Sequence, residues 1–569
     1  MRQIFGNLWA QGQYEHKQGL SRFSRPHRGA ESAPDQRLSE TAVVNFYQGV
    51  RAMLLTLIVS GETAIERRAS TSSSPVRRRQ TFSAMLWRPQ RIPGCAVIVA
   101  LVAASLGLNG QSPVDQRIAR VERGLIPQVV LKGETGKPAT IGERMAYHGI
   151  PGMSMAVIED GQIAWARAYG LRGRESGGPV TPDTLFQAAS LSKPVTALGA
   201  VLLAQQGRLD LDGDVRQWLK AWTPGEAFTL RQLLSHTAGL TISGFSGYTP
   251  GAPLPTVTQI LNGQPPANNG PVRVATRPGT KVEYSGGGYV VVQQLVMDVT
   301  RLPFDEWMRN TVFTPLNMSH SHFEQPLSEE LAHSAAFGHR RDGAKLEGGW
   351  MIHPELAPAG LWTTPTDLAR LIIEVQDAAA GRPSRAIEPE RARQMLTGRV
   401  DNAGLGFFLA GPNGSSRRFM HSGRNAGFDA FLVAYKNGRQ GAVVMINRNN
   451  NGGFINEVLD SVARECHWPD YISPAPPQEY EPVPPSVQRS YAGVYEAPDR
   501  PRLTVIFEDD KLFARAGDDP WFRIYPTSAS EFFAAGNSTR WTFVKGPNGR
   551  VEEVIARSGM NEVHRRRVP

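Results

Sequence analysis

Phe186-Gln187-Ala188-Ala189-Ser190-Leu191-Ser192-Lys193-Pro194 is the stretch on which the reading of this chain turns. Ser190 and Lys193 stand three residues apart at the head of an apolar run, predicted as a helix over about 190–206 and ended by Gly207, a residue suited to the left-handed position past a helix end. Three-residue spacing places both side chains on one helix face. A serine hydroxyl is a poor nucleophile until a neighbour takes its proton, and a buried lysine is neutral enough to do so. The helix start adds a positive field and free backbone N–H groups for a developing oxyanion. On its own the Ser-x-x-Lys tetrapeptide is weak evidence, because it recurs by chance in long chains.

Working outward, residues 151–170 read as a hairpin, with strands over 153–158 and 162–168 around Glu159-Asp160-Gly161. A second hairpin lies far downstream: 430–435, the Asn437-Gly438 turn, and 441–447. Between them the chain reads as helix and loop. Thr229 heads a short helix through a capping box with Gln232. Thr364, with Pro365 and Asp367 behind it, opens another. Strands at both ends of a helical segment have to pair with one another. The expected architecture is therefore α+β, an antiparallel sheet built from both chain ends and flanked by helices.

Three further motifs follow the Ser-x-x-Lys in order: Leu233-Leu234-Ser235-His236-Thr237-Ala238-Gly239-Leu240, Tyr284-Ser285-Gly286-Gly287-Gly288-Tyr289 and His421-Ser422-Gly423. Together the four resemble the β-lactamase-related serine hydrolases over roughly residues 113–465. That clan includes class C β-lactamases, D-alanyl-D-alanine carboxypeptidases, D-aminopeptidases and esterases. The resemblance implies a β-lactamase/transpeptidase-like fold, with Ser190 as acylated nucleophile and Lys193 as its partner. It implies that Tyr284 shuttles the proton between nucleophile and leaving group. A phenol ionises at about pH 10, so Tyr284 needs Lys193 close by. His421-Ser422-Gly423 matches the third motif and would begin the strand beside the site. The N–H of Arg424 falls where the second oxyanion-hole donor arises, the first being that of Ser190. His421, Ser422, Gly423 and Arg424 are the expected substrate-binding set.

Two departures bear on the substrate. Gly286 stands where β-lactamases and DD-peptidases keep the Asn of Tyr-x-Asn, which binds the substrate amide side chain. Glycine removes that donor and acceptor and moves the expectation toward esters. His421 is largely neutral at pH 7 where a lysine is charged, so a substrate carboxylate falls to Arg424. The expected activity is hydrolysis, through an acyl-enzyme, of an ester, a D-amino-acid peptide or a β-lactam-like carbonyl, with esterase or peptidase favoured over efficient β-lactamase. A slow-turnover penicillin-recognising sensor and a cell-wall-binding protein are the competing readings.

Other candidates read as structural. His236 braces a helix end, and His320 and His322 are loop histidines without metal-site spacing. The run Gly286-Gly287-Gly288 lacks the Lys-Ser/Thr of a phosphate loop and permits close backbone approach. No metal and no cofactor is expected, and the partner is a small-molecule or peptidoglycan-derived substrate.

The formal charge of +10 is concentrated at one end. Residues 1–94 hold 14 Lys/Arg against 6 Asp/Glu, a net of +8 that leaves about +2 for the other 475 residues. That balance excludes a phosphate-backbone footprint, and with it a nucleic-acid partner. Arg88 and Arg91 precede the apolar run 96–108 and the small residues Asn109-Gly110-Gln111-Ser112, so 85–112 reads as a secretory signal too short to span a membrane. Met85 is then the natural start and 1–84 a non-native or disordered leader; an uncleaved leader acting as membrane anchor is the alternative. The implied location is periplasmic or secreted.

Cys95 and Cys466 exclude a disulfide framework, and Cys466 reads as a packing residue. The expected domains are a catalytic one over 113–470, a Pro-rich linker over 471–487, and a small all-β one over 488–569. Strand-like runs in the last lie at 503–507, 512–515, 521–525, 541–545 and 551–556. With the linker, Tyr491-Ala492-Gly493-Val494-Tyr495 resembles the lipocalin-like domains appended to many clan members.

Overall fold

Asp160 and Gly161, at φ of 49° and 70°, form the two-residue turn between strands β1 (Gly152–Glu159) and β2 (Gln162–Gly170). Positive φ at both central positions matches the twist of the flanking strands. These coordinates are a computed structural model describing residues 112–568 except 134–135, 175–176, 341–342, 450–452, 473–477, 499, 501, 509, 518–520, 535–538 and 559–560. The leader and the signal-like segment up to residue 111 lie outside the described residues, as does 473–477 of the linker.

The remaining sheet strands come from the far end of the same segment: β3 (Phe408–Ala410), β4 (Arg418–Asn425), β5 (Phe428–Tyr435) and β6 (Gly441–Ile446). All six form one antiparallel sheet in the order β2-β1-β6-β5-β4-β3. Met153 faces Ile446 and Val157 faces Ala442 where the two chain ends meet. In the β5–β6 turn the left-handed residue is Arg439, at φ 49°, rather than Gly438. Its carbonyl accepts the Gly161 N–H at 3.1 Å, which sets the two hairpin turns side by side.

β5 and β6 are buried at every position because helices cover both faces of the sheet. Alternation sends Ala430, Leu432 and Ala434 to the larger helical layer and Phe431, Val433 and Tyr435 to the smaller one. The smaller layer contains α1 (Pro113–Glu122) and α2 (Ile141–His148). The larger contains α3 (Ser192–Gln205), α4 (Gly286–Thr300) and α5 (Pro365–Ala379). A last helix, α6 (Gly453–Glu465), returns to the smaller layer. α3 is apolar on every side and buried along nearly its whole length, as a central helix must be. It begins at Ser192, two residues later than expected, because Ala189–Leu191 is a 3₁₀ turn. Gly207 ends it at φ 70°. Both predicted N-caps form, Thr229 Oγ1 accepting Gln232 N–H and Thr364 Oγ1 accepting Asp367 N–H, each at 3.2 Å.

The C-terminal strands β7 (Gly493–Glu496), β8 (Leu503–Glu508), β9 (Lys511–Ala516), β10 (Phe522–Pro526), β11 (Glu531–Ala534), β12 (Arg540–Lys545), β13 (Val551–Ser558) and β14 (Asn561–Val568) close into a barrel, β14 pairing back onto β7. Closure removes exposed sheet edges. Tyr491, Tyr495, Phe532, Trp541 and Phe543 lie in its core. Within the linker, Gln478–Tyr480 pairs in parallel with Val129–Leu131, and Pro485–Arg489 is a short helix. Residues 478–480 are thus docked on the body, within a segment whose proline content predicts a stiff, extended linker. No helix among the described residues is long and apolar enough to cross a membrane.

Candidate active site

Ser190 sits in the 3₁₀ turn that feeds α3, immediately after Ala189 at φ 51°. A left-handed non-glycine residue costs about 1–3 kcal/mol and persists only where its surroundings over-determine it. Here Ala188 N–H donates to Leu361 O at 2.8 Å, and Ser192 Oγ donates to Ala189 O while accepting Leu361 N–H at 3.1 Å. β4 presses on the same turn. A Cβ at Gly423 would stand 2.2 Å from Ala188 O, so only glycine admits the strand this close.

Lys193, in the first turn of α3, is buried with Nζ 3.0 Å from both Ser190 Oγ and Pro358 O. Burial pushes its pKa down to about 7, so a large fraction is free amine at neutral pH. Nζ also lies 4.8 Å from the ring centroid of Tyr284 and 5.7 Å from that of Tyr289. Burial pushes the Tyr284 phenol well above its ordinary value, and a hydrogen bond with Ser190 only partly offsets this. The resting arrangement is therefore a neutral phenol beside a lysine that titrates near neutrality. Lys193, not a Tyr284 phenolate, is the group ready to take the serine proton.

His236 clamps the backbone on either side of Tyr284. Its carbonyl accepts Glu283 N–H at 2.7 Å, its Nδ1 accepts Ser285 N–H at 3.1 Å, and its ring lies 4.4 Å from the Tyr284 ring. An accepting Nδ1 puts the proton on Nε2. Burial, then the charge of Lys193, push its pKa far down, so the ring is neutral.

The third motif lies inside β4, which starts at Arg418, rather than opening the strand. The pleat sorts its members. Phe419 faces the α3 layer and Met420 the opposite one, so His421, Gly423 and Asn425 fall on the Ser190 side and Ser422 and Arg424 on the other. His421 is buried, 6.1 Å from the Tyr284 ring and 5.5 Å from Phe408, and its Nδ1 donates to Ser422 O at 2.7 Å. Burial, then Lys193, push its pKa to about 3. Arg424 donates from Nε to Asp429 at 3.1 Å, its partner across the β4–β5 pair. The structure does not bring the Arg424 guanidinium to Ser190, and the charge expected to meet a substrate carboxylate is balanced by Asp429.

Sequence reasoning passed over loop 351–361, the floor of this site. Gln187 holds Met351 O at 2.6 Å, Thr196 holds Ala357 O at 3.0 Å, and Asn425 holds Ala359 O at 3.2 Å. The only signal in the sequence is the set of polar residues, such as Gln187 and Asn425, that the fold buries. Cys466 is buried in the smaller layer, where burial pushes its thiol well up, as befits a packing residue.

An antiparallel sheet with this Ser–Lys–Tyr arrangement at the head of a central helix defines a serine hydrolase of the acyl-enzyme type in general. Residues 138–463 match the Beta-lactamase family, and with more than half of its length so matched the chain belongs to that family. It is similar to penicillin-binding protein 4* of Bacillus subtilis (strain 168), 22% identical over 446 residues that cover 74% of this chain and 96% of that protein. Protein flp of Staphylococcus aureus (strain MRSA252) is 25% identical over 320 residues, 53% of this chain and 60% of flp. Among solved structures, the octameric penicillin-binding protein homologue from Pyrococcus abyssi aligns at a TM-score of 0.49 with 20% identity, covering 74% of this chain and 98% of that one. SurE with D-Leu aligns at 0.46 with 22% identity, covering 75% and 97%.

Proposed function

We propose that the chain hydrolyses an ester, or less readily a D-amino-acid peptide, through an acyl-enzyme on Ser190. The observation that carries this is Lys193 Nζ, 3.0 Å from Ser190 Oγ with a pKa of about 7. As Oγ bonds to the substrate carbonyl carbon, its proton passes to Lys193, and the oxyanion is met by the N–H groups of Ser190 and Arg424. The C–O bond to the leaving group breaks as Tyr284 donates its phenolic proton to the departing oxygen, and Lys193 reprotonates Tyr284. Water then adds to the acyl-enzyme, and its protons return one to Ser190 and one to the released acid.

Ester is favoured because neither expected recogniser of an anionic peptide offers a free charge on the Ser190 side: His421 is neutral and Arg424 is turned to Asp429. The domain division at 113–470, 471–487 and 488–569 fits a barrel whose strands run from Gly493 to Val568. The signal-like run 96–108 supports a periplasmic or secreted location.

Wild type and Ser190→Ala are to be compared on p-nitrophenyl butyrate, nitrocefin and a D-Ala-D-Ala peptide. Steady ester turnover lost in the variant is the expected result. A burst without turnover points to a penicillin-recognising sensor, and no reaction at all to a wall-binding protein. Equal rates in both proteins overturn Ser190 as nucleophile.

A further inference from the structure

Two residues beyond Tyr284, at the head of α4, Gly286 and Gly287 are packed backbone-on-backbone against the loop 241–245. Gly286 N–H donates to Ser243 O at 3.1 Å and Gly287 N–H to Ile242 O at 2.8 Å. Ser285 Oγ, which caps α4, donates to Thr241 O at 2.9 Å. A Cβ at Gly287 would stand 2.6 Å from Thr241 O, so the close approach depends on glycine. Ile242 is held at φ 63°, a conformation that a β-branched residue rarely adopts. Strain at a β-branched residue, fixed by hydrogen bonds to the helix that starts right after Tyr284, marks a loop whose position is specified.

The loop delivers a ring. A Cβ at Gly286 would stand 3.0 Å from both Phe245 Cε2 and Ser243 O, so the Phe245 ring and the loop backbone together lie where a side chain at 286 would begin. Phe245 is half-buried, packed on the edge of the larger core. Half-buried Phe408 stacks on Tyr284 at 6.3 Å. The rings of His236 and His421, both neutral, also lie against Tyr284.

We infer that Phe245 sets the specificity of this site. Its ring replaces the polar side chain that position 286 lacks, and it makes an apolar wall that selects uncharged esters with an aliphatic acyl chain over substrates presenting an amide. By the resemblance, the residue at 286 binds the side chain that an amide substrate carries, so the corresponding chain of an ester is the part that Phe245 reads. The inference rests on the acyl-enzyme reading above. An apolar wall discriminates by the methylenes it covers, about tenfold or more for each well-packed group.

The test uses the full chain with p-nitrophenyl acetate, butyrate and hexanoate, which share one leaving group and differ only in acyl length. In wild type, kcat/KM rises from acetate to butyrate. Phe245→Ala and Phe245→Asn each lower the butyrate-to-acetate ratio by about tenfold, whereas Phe245→Leu, which keeps an apolar wall, holds it within about threefold. A ratio unmoved in both Ala and Asn variants, with melting temperatures like wild type, overturns the role of Phe245 while leaving the acyl-enzyme intact. Ester turnover that survives Ser190→Ala, or is absent from wild type, overturns the underlying reading itself.

Discussion

The two faces of the six-stranded sheet treat polar groups in opposite ways. On the face covered by α1, α2 and α6, charges are paired. Arg144 donates to both carboxylate oxygens of Glu457 at 2.7 Å, His148 adds a contact at 3.1 Å, and Arg117 bridges Glu159 and Glu465. Burial raises the Glu457 pKa, yet the bonds from Arg144 and His148 outweigh it and hold the carboxyl below its ordinary value. Around Ser190, the buried Lys193, His236 and His421 have no carboxylate partner among the described residues. Lys193 contacts a hydroxyl, a carbonyl and two rings, while His236 Nε2 and His421 Nε2 have no hydrogen-bond partner among the described residues. A buried charge without a counter-ion is disfavoured, so the two histidines are neutral and Lys193 titrates near neutrality. One face is arranged for stability. The other keeps a lysine that titrates near neutrality and a protonated phenol beside Ser190.

Removing the amine should break the reactive face most. Lys193→Ala is expected to lower kcat/KM for p-nitrophenyl butyrate by about 10³-fold, with the melting temperature kept or raised because a buried lysine has been removed. The wild-type pH profile carries the same signature. Lys193 works as its free form, so kcat/KM falls tenfold per pH unit below a pKa of about 7 and levels off above it. An acid limb near the pKa of an ordinary lysine would put the working base elsewhere.

On the paired face the loss should appear in stability. Glu457→Ala strands the Arg144 guanidinium, expected to cost about 3 kcal/mol in a urea titration, with kcat per folded molecule unchanged. A loss of kcat without a loss of stability would erase the contrast between the faces. His236→Ala frees the Ser285 N–H and removes the ring beside Tyr284. A drop of about tenfold in kcat at constant KM is expected, with His236→Asn recovering part of it by supplying an acceptor. Equal damage in both variants would reduce His236 to packing. The smallest effect belongs to Arg424→Ala, expected to change neutral-ester and anionic-peptide rates by the same factor, within about twofold. A selective loss on the anion would return Arg424 to the substrate side.

Local geometry was readable from the residues. The turn at Asp160-Gly161, the caps at Thr229 and Thr364, the stop at Gly207 and the three-residue step from Ser190 to Lys193 each depend on a few neighbouring residues, and each forms. The pairing of the two chain ends followed from having strands only at those ends. In the barrel, β7, β11 and β14 escaped notice. β14 shows why: Val563 and Arg565 face Ala556 and Val554 of the core side, while Glu562, His564 and Arg566 alternate with them. Arginines inside and outside leave no apolar period to find.

Arg424 marks the limit of spacing arguments at the site. Its place next to Gly423 is a matter of sequence, but the face it points to depends on the register of β4 against β5, and a one-residue shift would reverse it. The same division holds for Lys193. Its nearness to Ser190 is set by helical spacing, a property of three consecutive peptide units. Its lowered pKa comes from water exclusion by Tyr284, Tyr289 and the 351–361 segment, brought together from positions about 90 to 165 residues further along the chain. Desolvation sums over every atom around a group, so only the folded chain decides it.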